Sequence, residues 1–276
     1  MDIKILVIGL AVVIVVLMFA PKNLFGGAGA IFGMGENAVN KAVGGFEGLD
    51  ITKYYDGITE NIVTSVEAVP AHPALSGECK ISQEEQDAFQ QYLEYVKKGI
   101  VESEMRRTLQ GTGFIPEALL AAVLTTESRW NPKAVGPCGD GGIAQFQWKT
   151  ARDMGLEFNY EKYGTHPCVI GGKTLQCSGC SKCNPSYASV CELANDPRYK
   201  PELAIPAAAK YLNQVLSTCK GVVPREKFVA IGVSAYNQGP NGGKCDKINT
   251  NYIKLVVDHY YPQWHACLKA KGYVEA

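Results

Sequence analysis

Residues 116–147 read PEALLAAVLTTESRWNPKAVGPCGDGGIAQFQ, and the first half of this stretch predicts a helix. Pro116 suits the first helical position, where the N–H that proline lacks would have no partner within the helix. Leu120, Leu124 and Glu127 follow at positions i, i+4 and i+7, which lie on one face of a helix. The predicted helix therefore carries a carboxylic acid at the end of an apolar stripe.

This position makes the carboxyl group of Glu127 a candidate general acid. Burial disfavours the charged form of a carboxylate, so such a group can stay protonated near neutral pH and donate a proton. The plainer interpretation is that Glu127 caps the helix end or pairs with Arg129. For an isolated glutamate on an amphipathic helix that interpretation is the commoner one, so the helix alone does not assign a function.

Glu127 belongs to a set of three motifs, and together they favour the general-acid interpretation. Residues 127–132 have the form E-S-x-x-N-P, residues 142–145 the form G-x-x-Q, and residues 235–240 the form A-Y-N-x-G-P. In this order, over roughly half of the chain, they resemble the goose-type-lysozyme-like domain of the soluble lytic transglycosylases. They are also similar to related wall-remodelling enzymes of secretion and conjugation systems. The resemblance implies a mainly α, lysozyme-like fold and the cleavage of peptidoglycan.

The same resemblance implies roles for individual residues. Glu127 would act first as an acid and then as a base on the 6-hydroxyl of the sugar, which closes a 1,6-anhydro ring. The residues that would bind substrate are Ser128, Gln145, Phe146, Tyr236 and Asn237. Two departures from the commonest family pattern are Ala144, where methionine is frequent, and Phe146 after the glutamine. Neither replaces the acid.

Aromatic side chains near these motifs offer apolar surfaces on which sugar rings could stack. They are Trp130, Phe146 and Trp148. Aromatic residues at such positions are about as often part of a hydrophobic core, so both interpretations stay open.

Two other functions remain open alongside a transglycosylase. The stretch from Asp140 to Gln145 also resembles the D-x-G-I-x-Q segment of animal-type lysozymes, in which the aspartate is a second carboxylate. A hydrolase would then use Glu127 and Asp140 together. Asp140 could instead order the glycine turn through its own backbone, as aspartate commonly does. The third possibility is a non-catalytic wall-binding or assembly component of a secretion or conjugation apparatus.

The N-terminal residues predict a membrane segment in residues 1–22. Ile5 to Ala20 are uncharged and almost entirely apolar, although a bilayer span needs about 20 such residues. A cleaved signal peptide is the alternative, but the residues before Pro21 form a poor cleavage site. We therefore expect a single-pass anchor with the catalytic domain outside the cytoplasm, and a secreted protein otherwise.

The rest of the chain divides into a linker and one domain. Residues 23–78 are rich in glycine and end in a proline-containing linker, and residues 79–276 form the predicted lysozyme-like domain. Within it, residues 157–200 are a loop-like, cysteine-rich insertion that could shape one wall of the cleft. The formal net charge is zero, which indicates no nucleic-acid partner.

Helical periodicity dominates the domain outside the insertion. A capping box at residues 82–85 predicts the start of one helix that ends before Gly111. Later helices are expected at residues 150–156, 206–216, 228–236 and 252–268. No strand is expected outside residues 157–200.

The ten cysteines favour disulfides, since the count is even and the protein is expected to be exported. Their pairing cannot be deduced from the sequence. Zinc is the alternative for one cluster with metal-ligand spacing, which consists of Cys177, Cys180, Cys183 and Cys191. No other cofactor is expected.

Overall fold

A computed structural model describes residues 78–158, 165–183, 194–225, 227–238, 245 and 248–273. The predicted membrane segment and nearly all of the glycine-rich linker lie outside these residues, as do Cys191 and residues 239–240 of the third motif. In the described part of the chain, no helix has the length and apolar character that a membrane crossing requires.

The described residues are mainly helical, as predicted. The α-helices are α1 (Gln83–Gln91), α2 (Leu93–Glu102), α3 (Met105–Leu109), α4 (Pro116–Ser128), α5 (Trp148–Asp153), α6 (Pro201–Lys220), α7 (Phe228–Gln238), α8 (Thr250–Ile253) and α9 (Tyr261–Ala270). A 3-10 turn covers Pro197–Tyr199, and a π-helical segment, Lys254–Tyr260, joins α8 to α9.

The first predicted helix begins as expected but is divided into three. Ser82 forms the capping box, accepting from the backbone N–H of Glu85, whose carboxylate in turn accepts from the N–H of Ser82. The prediction of one helix that ends before Gly111 was wrong. Tyr92 leaves helical geometry, and Glu104 is left-handed with φ of 57°. A residue with left-handed φ cannot continue a right-handed helix, so it ends one. The break brings α3 against α6 as well as α4.

Helix α4 is the central element of the domain. Pro116 occupies its first turn, and every residue from Pro116 to Thr125 is buried. The helix packs against α2, α9 and the π-helical segment. Helix α4 thereby places Glu127, in its last turn, where the buried part of the helix gives way to the surface.

The end of α4 is fixed by two left-handed residues. Arg129 and Trp130 have φ of 53° and 65°, so the helix ends at Ser128, before Asn131. Trp130 is buried, and its indole N–H donates to the Thr125 hydroxyl at 2.9 Å, as does that of Trp264 at 2.8 Å. Trp130 is therefore a core residue, so of the two interpretations left open for it the structure supports core packing.

The C-terminal helical region differs from a single regular helix. Residues 250–270 run through α8, the π-helical segment and α9 without leaving helical structure. Asn249 caps α8 by accepting from the backbone N–H of Tyr252 at 3.1 Å. π-helical turns are rare and often lie near functional sites. Here the π-helical segment begins two residues after Tyr252, whose side chain reaches Glu127.

The insertion contains a β-hairpin, where the sequence indicated only a loop. Strands β1 (Thr165–Ile170) and β2 (Lys173–Ser178) pair antiparallel, with Thr165 opposite Ser178 and Ile170 opposite Lys173. Gly171 and Gly172 connect them with positive φ at both positions, the geometry of a tight two-residue hairpin turn. The hairpin stands beside the mainly helical domain without changing its class.

Disulfides were predicted, and three are present with both partners among the described residues. They are Cys79–Cys267, Cys168–Cys183 and Cys219–Cys245. Cys180 is disulfide-bonded as well, whereas Cys138 and Cys177 are thiols. The zinc alternative requires thiolates at four cysteines, and two of these, Cys180 and Cys183, are oxidised.

Removing Cys79–Cys267 is expected to lower the free energy of unfolding by about 2–5 kcal/mol. This bridge closes a loop with a sequence separation of 188, so it restricts the unfolded chain strongly. The test is denaturant unfolding of Cys79→Ala/Cys267→Ala. The matched control, Cys168→Ala/Cys183→Ala, opens a separation of 15 and should cost less. Equal stability of the first variant and the unmodified protein would contradict the expectation.

Candidate active site

Glu127 lies on the wall between two pockets. One, of about 480 Å³, is lined by the end of α4 and the following loop as far as Pro137, except Trp130 and Pro132, together with Gln145 and Lys182. The other, of about 260 Å³, is lined by Asp140, Gln145 and residues of α7. Glu127 and Gln145 belong to both linings. A linear substrate that occupied both pockets would pass the carboxyl group of Glu127.

The Glu127 carboxyl group has an unusual proton affinity. Burial of the group raises its pKa to about 7, a hydrogen bond from Tyr252 opposes this shift, and the charge of Asp140 adds to it. The Tyr252 hydroxyl donates to Oε1 of Glu127 at 2.5 Å. A carboxylic acid with this pKa is partly protonated at neutral pH, so it can both donate and accept a proton. The predicted general acid thus has the expected electrostatics.

Tyr252 is a site residue that sequence reasoning missed. The sequence indicates only that it continues the apolar periodicity of the last helix, and nothing local connects it with a glutamate 125 residues earlier. The connection is made by the fold. The Asn249 side-chain amide donates to Oδ1 of Asn237 at 2.9 Å, and the Asn249 backbone N–H donates to Oγ of Ser234 at 2.6 Å. These bonds join the start of α8 to the end of α7.

Asp140 lines the second pocket, but its carboxylate is held by its own loop. It accepts from the Gln147 side chain and from the backbone N–H groups of Asp140 and Cys138, and it is attracted by Arg198. Burial nevertheless leaves the pKa of Asp140 raised above its ordinary value. The turn-ordering role is therefore present, and the aspartate also acts on Glu127 through its charge.

The glycine loop is built by close backbone contacts. Gly141 and Phe146 exchange backbone hydrogen bonds of 3.0 and 3.2 Å, and the Gly142 N–H donates to Ala134 O at 2.8 Å. Gly142 has φ of 72°, and a Cβ there would lie 1.7 Å from the carbonyl oxygen of Arg198. Only glycine fits this position.

Gln145 also serves the loop. It has φ of 48°, and its Nε2 donates to Gly142 O at 2.8 Å and to Ala134 O at 3.2 Å. The side chain is thereby fixed on the wall shared by both pockets. Its predicted contact with substrate stays a prediction.

Ser128 joins the acid-bearing helix to the same loop. Its hydroxyl donates to Ile143 O at 2.7 Å. This bond connects the residue beside Glu127 with the segment that precedes Gln145. Ser128 is consequently a polar neighbour of Glu127, and its hydrogen bond helps to position the loop.

The remaining predicted residues lie around the second pocket. Tyr236 is buried, its hydroxyl donates to Ala144 O at 3.3 Å, and burial together with the charge of Glu127 raises its pKa. Asn237 is exposed beside it. Phe146 is buried with its ring against Tyr211 and Tyr236, so it supports the pocket from below and is not an exposed platform. Trp148 is half-buried and does not belong to the lining of this pocket.

Arg198, which the sequence did not single out, holds the glycine loop from behind. It is buried, it pairs with Asp196 at 2.8 Å, and its Nη1 donates to Gly139 O at 2.7 Å and to Phe146 O at 2.9 Å. A buried guanidinium with all these partners fixes both ends of the loop that carries Asp140.

Replacing Arg198 with methionine is expected to lower the free energy of unfolding by about 3–5 kcal/mol, because Asp196 would be left as an unpaired buried charge. Denaturant unfolding measures the loss. In the double variant Arg198→Met/Asp196→Leu the charge is gone, so part of the loss should be recovered. A double variant less stable than the sum of the two single changes would speak against this explanation.

Comparison with known families agrees with the residues assembled here. Residues 107–168 match the family model for the transglycosylase SLT domain. The match includes Glu127, Asp140 and Gln145, whereas Tyr236 and Tyr252 lie beyond it. No curated protein matches the chain. The predicted resemblance to the soluble lytic transglycosylase family is thereby confirmed.

Proposed function

We propose that the chain uses its transglycosylase domain to cleave the glycan strands of cell-wall peptidoglycan and to leave 1,6-anhydro ends. The observation that carries this proposal is the state of Glu127. It is a carboxylic acid with a pKa of about 7, hydrogen-bonded by Tyr252 and accessible from two pockets. An acid of this kind can act in both directions within one catalytic cycle.

In the first step, Glu127 donates its proton to the glycosidic oxygen, and the bond from that oxygen to the anomeric carbon breaks. The transition state has oxocarbenium character. The released strand carries a new hydroxyl group. Tyr252 donates to the carboxylate that remains, which stabilises its negative charge.

In the second step, the Glu127 carboxylate accepts the proton of the sugar's own 6-hydroxyl, and the oxygen of that hydroxyl bonds to the anomeric carbon. The ring closes and the acid is restored. No water is consumed, and the reaction needs no cofactor. Gln145, Tyr236 and Asn237 lie around the pocket in which this sugar would be held.

The second candidate function is a lysozyme-like hydrolase that uses Glu127 and Asp140. Asp140 favours it by lining the same pocket and by acting on the charge of Glu127. The hydrogen bonds that Asp140 accepts from its own loop support the single-acid reaction instead, because they give the aspartate a structural role. A purely wall-binding component would have no need of an acid with a raised pKa.

The substitution Asp140→Asn separates the two reactions. We expect the variant to retain measurable cleavage of purified peptidoglycan and to yield products with 1,6-anhydro ends, identified by mass. Glu127→Gln, treated identically, should cleave far more slowly than Asp140→Asn. Loss of all activity in a folded Asp140→Asn variant, with reducing ends in the unmodified protein's products, would establish the hydrolase.

We further propose that the catalytic domain works outside the cytoplasm and is attached to the membrane through residues 1–22. The disulfides support this location, since they persist in oxidising compartments. Its partners would be peptidoglycan and a secretion or conjugation apparatus. Fractionation tests the anchor: the full chain should sediment with membranes at high salt, whereas release of a shortened chain would indicate a secreted protein.

A further inference from the structure

Two thiols meet where the insertion contacts the active-site loop. Cys138 lies in that loop, and Cys177 lies in strand β2 of the hairpin. Their side chains are in hydrogen-bonding contact. Cys177 is fully buried and Cys138 is partly exposed to the second pocket. Among the described cysteines, these two are the ones that are not oxidised.

The loop around Cys138 is part of the site. The Cys138 backbone N–H donates to the carboxylate of Asp140, and the next carbonyl, that of Gly139, accepts from Arg198. The insertion already contacts this loop through its backbone, because the Lys182 N–H donates to Gly136 O at 3.3 Å. A covalent bond between the two cysteines would strengthen a contact that exists without it.

We propose that Cys138 and Cys177 are a disulfide site, whose closure ties the insertion hairpin to the loop that forms the wall of the second pocket. The environment that sustains Cys79–Cys267, Cys168–Cys183 and Cys219–Cys245 oxidises cysteines, and contacting thiols in it have the proximity that disulfide formation requires.

The chemistry is exchange with a disulfide oxidant. One thiol loses its proton and attacks a sulfur of the oxidant, which releases one oxidant thiol and leaves a mixed disulfide. The second cysteine then attacks the mixed disulfide and releases the other oxidant thiol. The two cysteines lose two electrons and two protons, and the oxidant becomes two thiols.

The surroundings of Cys138 slow the reduction of the disulfide once it forms. Burial, followed by the neighbouring Cys177 thiol, raises the pKa of Cys138 to about 12. A thiol with a raised pKa is a poor leaving group, so a reductant displaces it slowly from a disulfide. The same property makes Cys138 a slow nucleophile towards alkylating reagents at neutral pH.

Closure would fix the pocket wall at a third place. Arg198 already holds Gly139 from behind and Lys182 holds Gly136. A disulfide at Cys138 would add the hairpin as a support for the turn that carries Asp140. The consequence for glycan cleavage rests on the proposed function, whereas the existence of the bond does not.

The test maps thiols in the full chain. The protein is incubated with oxidised glutathione, denatured, alkylated and digested without reductant, and the peptides are identified by mass. We expect a peptide pair linked through Cys138 and Cys177, and two fewer alkyl groups than in protein kept reduced at this pair. Alkylation of both cysteines after oxidation, or linkage of either one to another cysteine, would overturn the proposal.

A second measurement uses hydrogen exchange of the unmodified chain, which requires no variant to fold. Amides of residues 136–141 and 165–178 should exchange more slowly after oxidation, because the bond removes local openings of both segments. The matched control is Cys138→Ser, in which oxidation should leave these rates unchanged. Equal exchange before and after oxidation of the unmodified chain would contradict the coupling between hairpin and loop.

Discussion

Glu127→Gln is expected to reduce peptidoglycan cleavage by a factor on the order of 10² or more, because general acid–base catalysis contributes about this much. The substitution keeps the shape of the side chain and removes the proton that titrates with a pKa of about 7. Turnover of purified peptidoglycan per folded molecule is the measurement. In the unmodified protein the rate should fall as the pH rises above about 7, when the acid loses its proton.

Glu117→Gln is the matched control. Glu117 lies in the first turn of the same helix, α4, and pairs with the largely exposed Arg106. Its removal should leave cleavage close to normal. Near-normal activity of a folded Glu127→Gln variant would refute the role of the acid.

The Glu127→Gln variant should also be more stable than the unmodified protein at alkaline pH. The pKa of Glu127 is raised in the folded protein, so the folded state binds the proton more tightly than the unfolded state does. The contribution of Glu127 to the free energy of unfolding is therefore favourable at low pH and is lost as the pH rises from about 4.5 to about 7. Thermal unfolding should show Glu127→Gln to be the more stable protein at pH values above this window and nearly equal below it.

Tyr252→Phe is expected to slow cleavage by about 10- to 100-fold, because hydrogen bonds to charged groups contribute roughly 1.5–3 kcal/mol. The Tyr252 hydroxyl holds the Glu127 carboxyl group and lowers its pKa against the larger effect of burial. Its loss should raise the pKa of Glu127, so the alkaline limb of the rate profile should move to higher pH. Rates measured across pH test both effects.

Tyr260→Phe is the control for this change. Tyr260 lies in the π-helical segment that follows α8 and packs at the edge of the core, without a described bond to Glu127. The Tyr260→Phe variant should show the same dependence of the cleavage rate on pH as the unmodified protein. A Tyr252→Phe variant with the rate and profile of the unmodified protein would show that the bond has no catalytic role.

Local chemistry explains which features could be predicted from the sequence. The capping box at Ser82, the start of α4 at Pro116 and the glycine turn depend on residues within a few positions of one another. The order of the motifs predicted the resemblance that the family-model match at residues 107–168 supports, and it singled out Glu127. Its raised pKa followed from the apolar stripe of the same helix, which the fold buries.

The features that were missed depend on contacts between distant segments. Tyr252 approaches Glu127 because the capped start of α8 is joined to α7, and Arg198 reaches the glycine loop from beyond the insertion. Trp130 and Phe146 carry aromatic side chains suited to sugar or to core, and only the packing of the domain decides that both are buried. The left-handed Glu104 likewise interrupts a periodicity that continues through it.

The most direct test of the proposed reaction is digestion of purified peptidoglycan by the full chain in water enriched in heavy oxygen, followed by mass measurement of the products. Ring closure by the sugar's own 6-hydroxyl consumes no water. We therefore predict products with 1,6-anhydro ends that carry no heavy oxygen, whereas one heavy oxygen at each new reducing end would contradict the transglycosylase assignment.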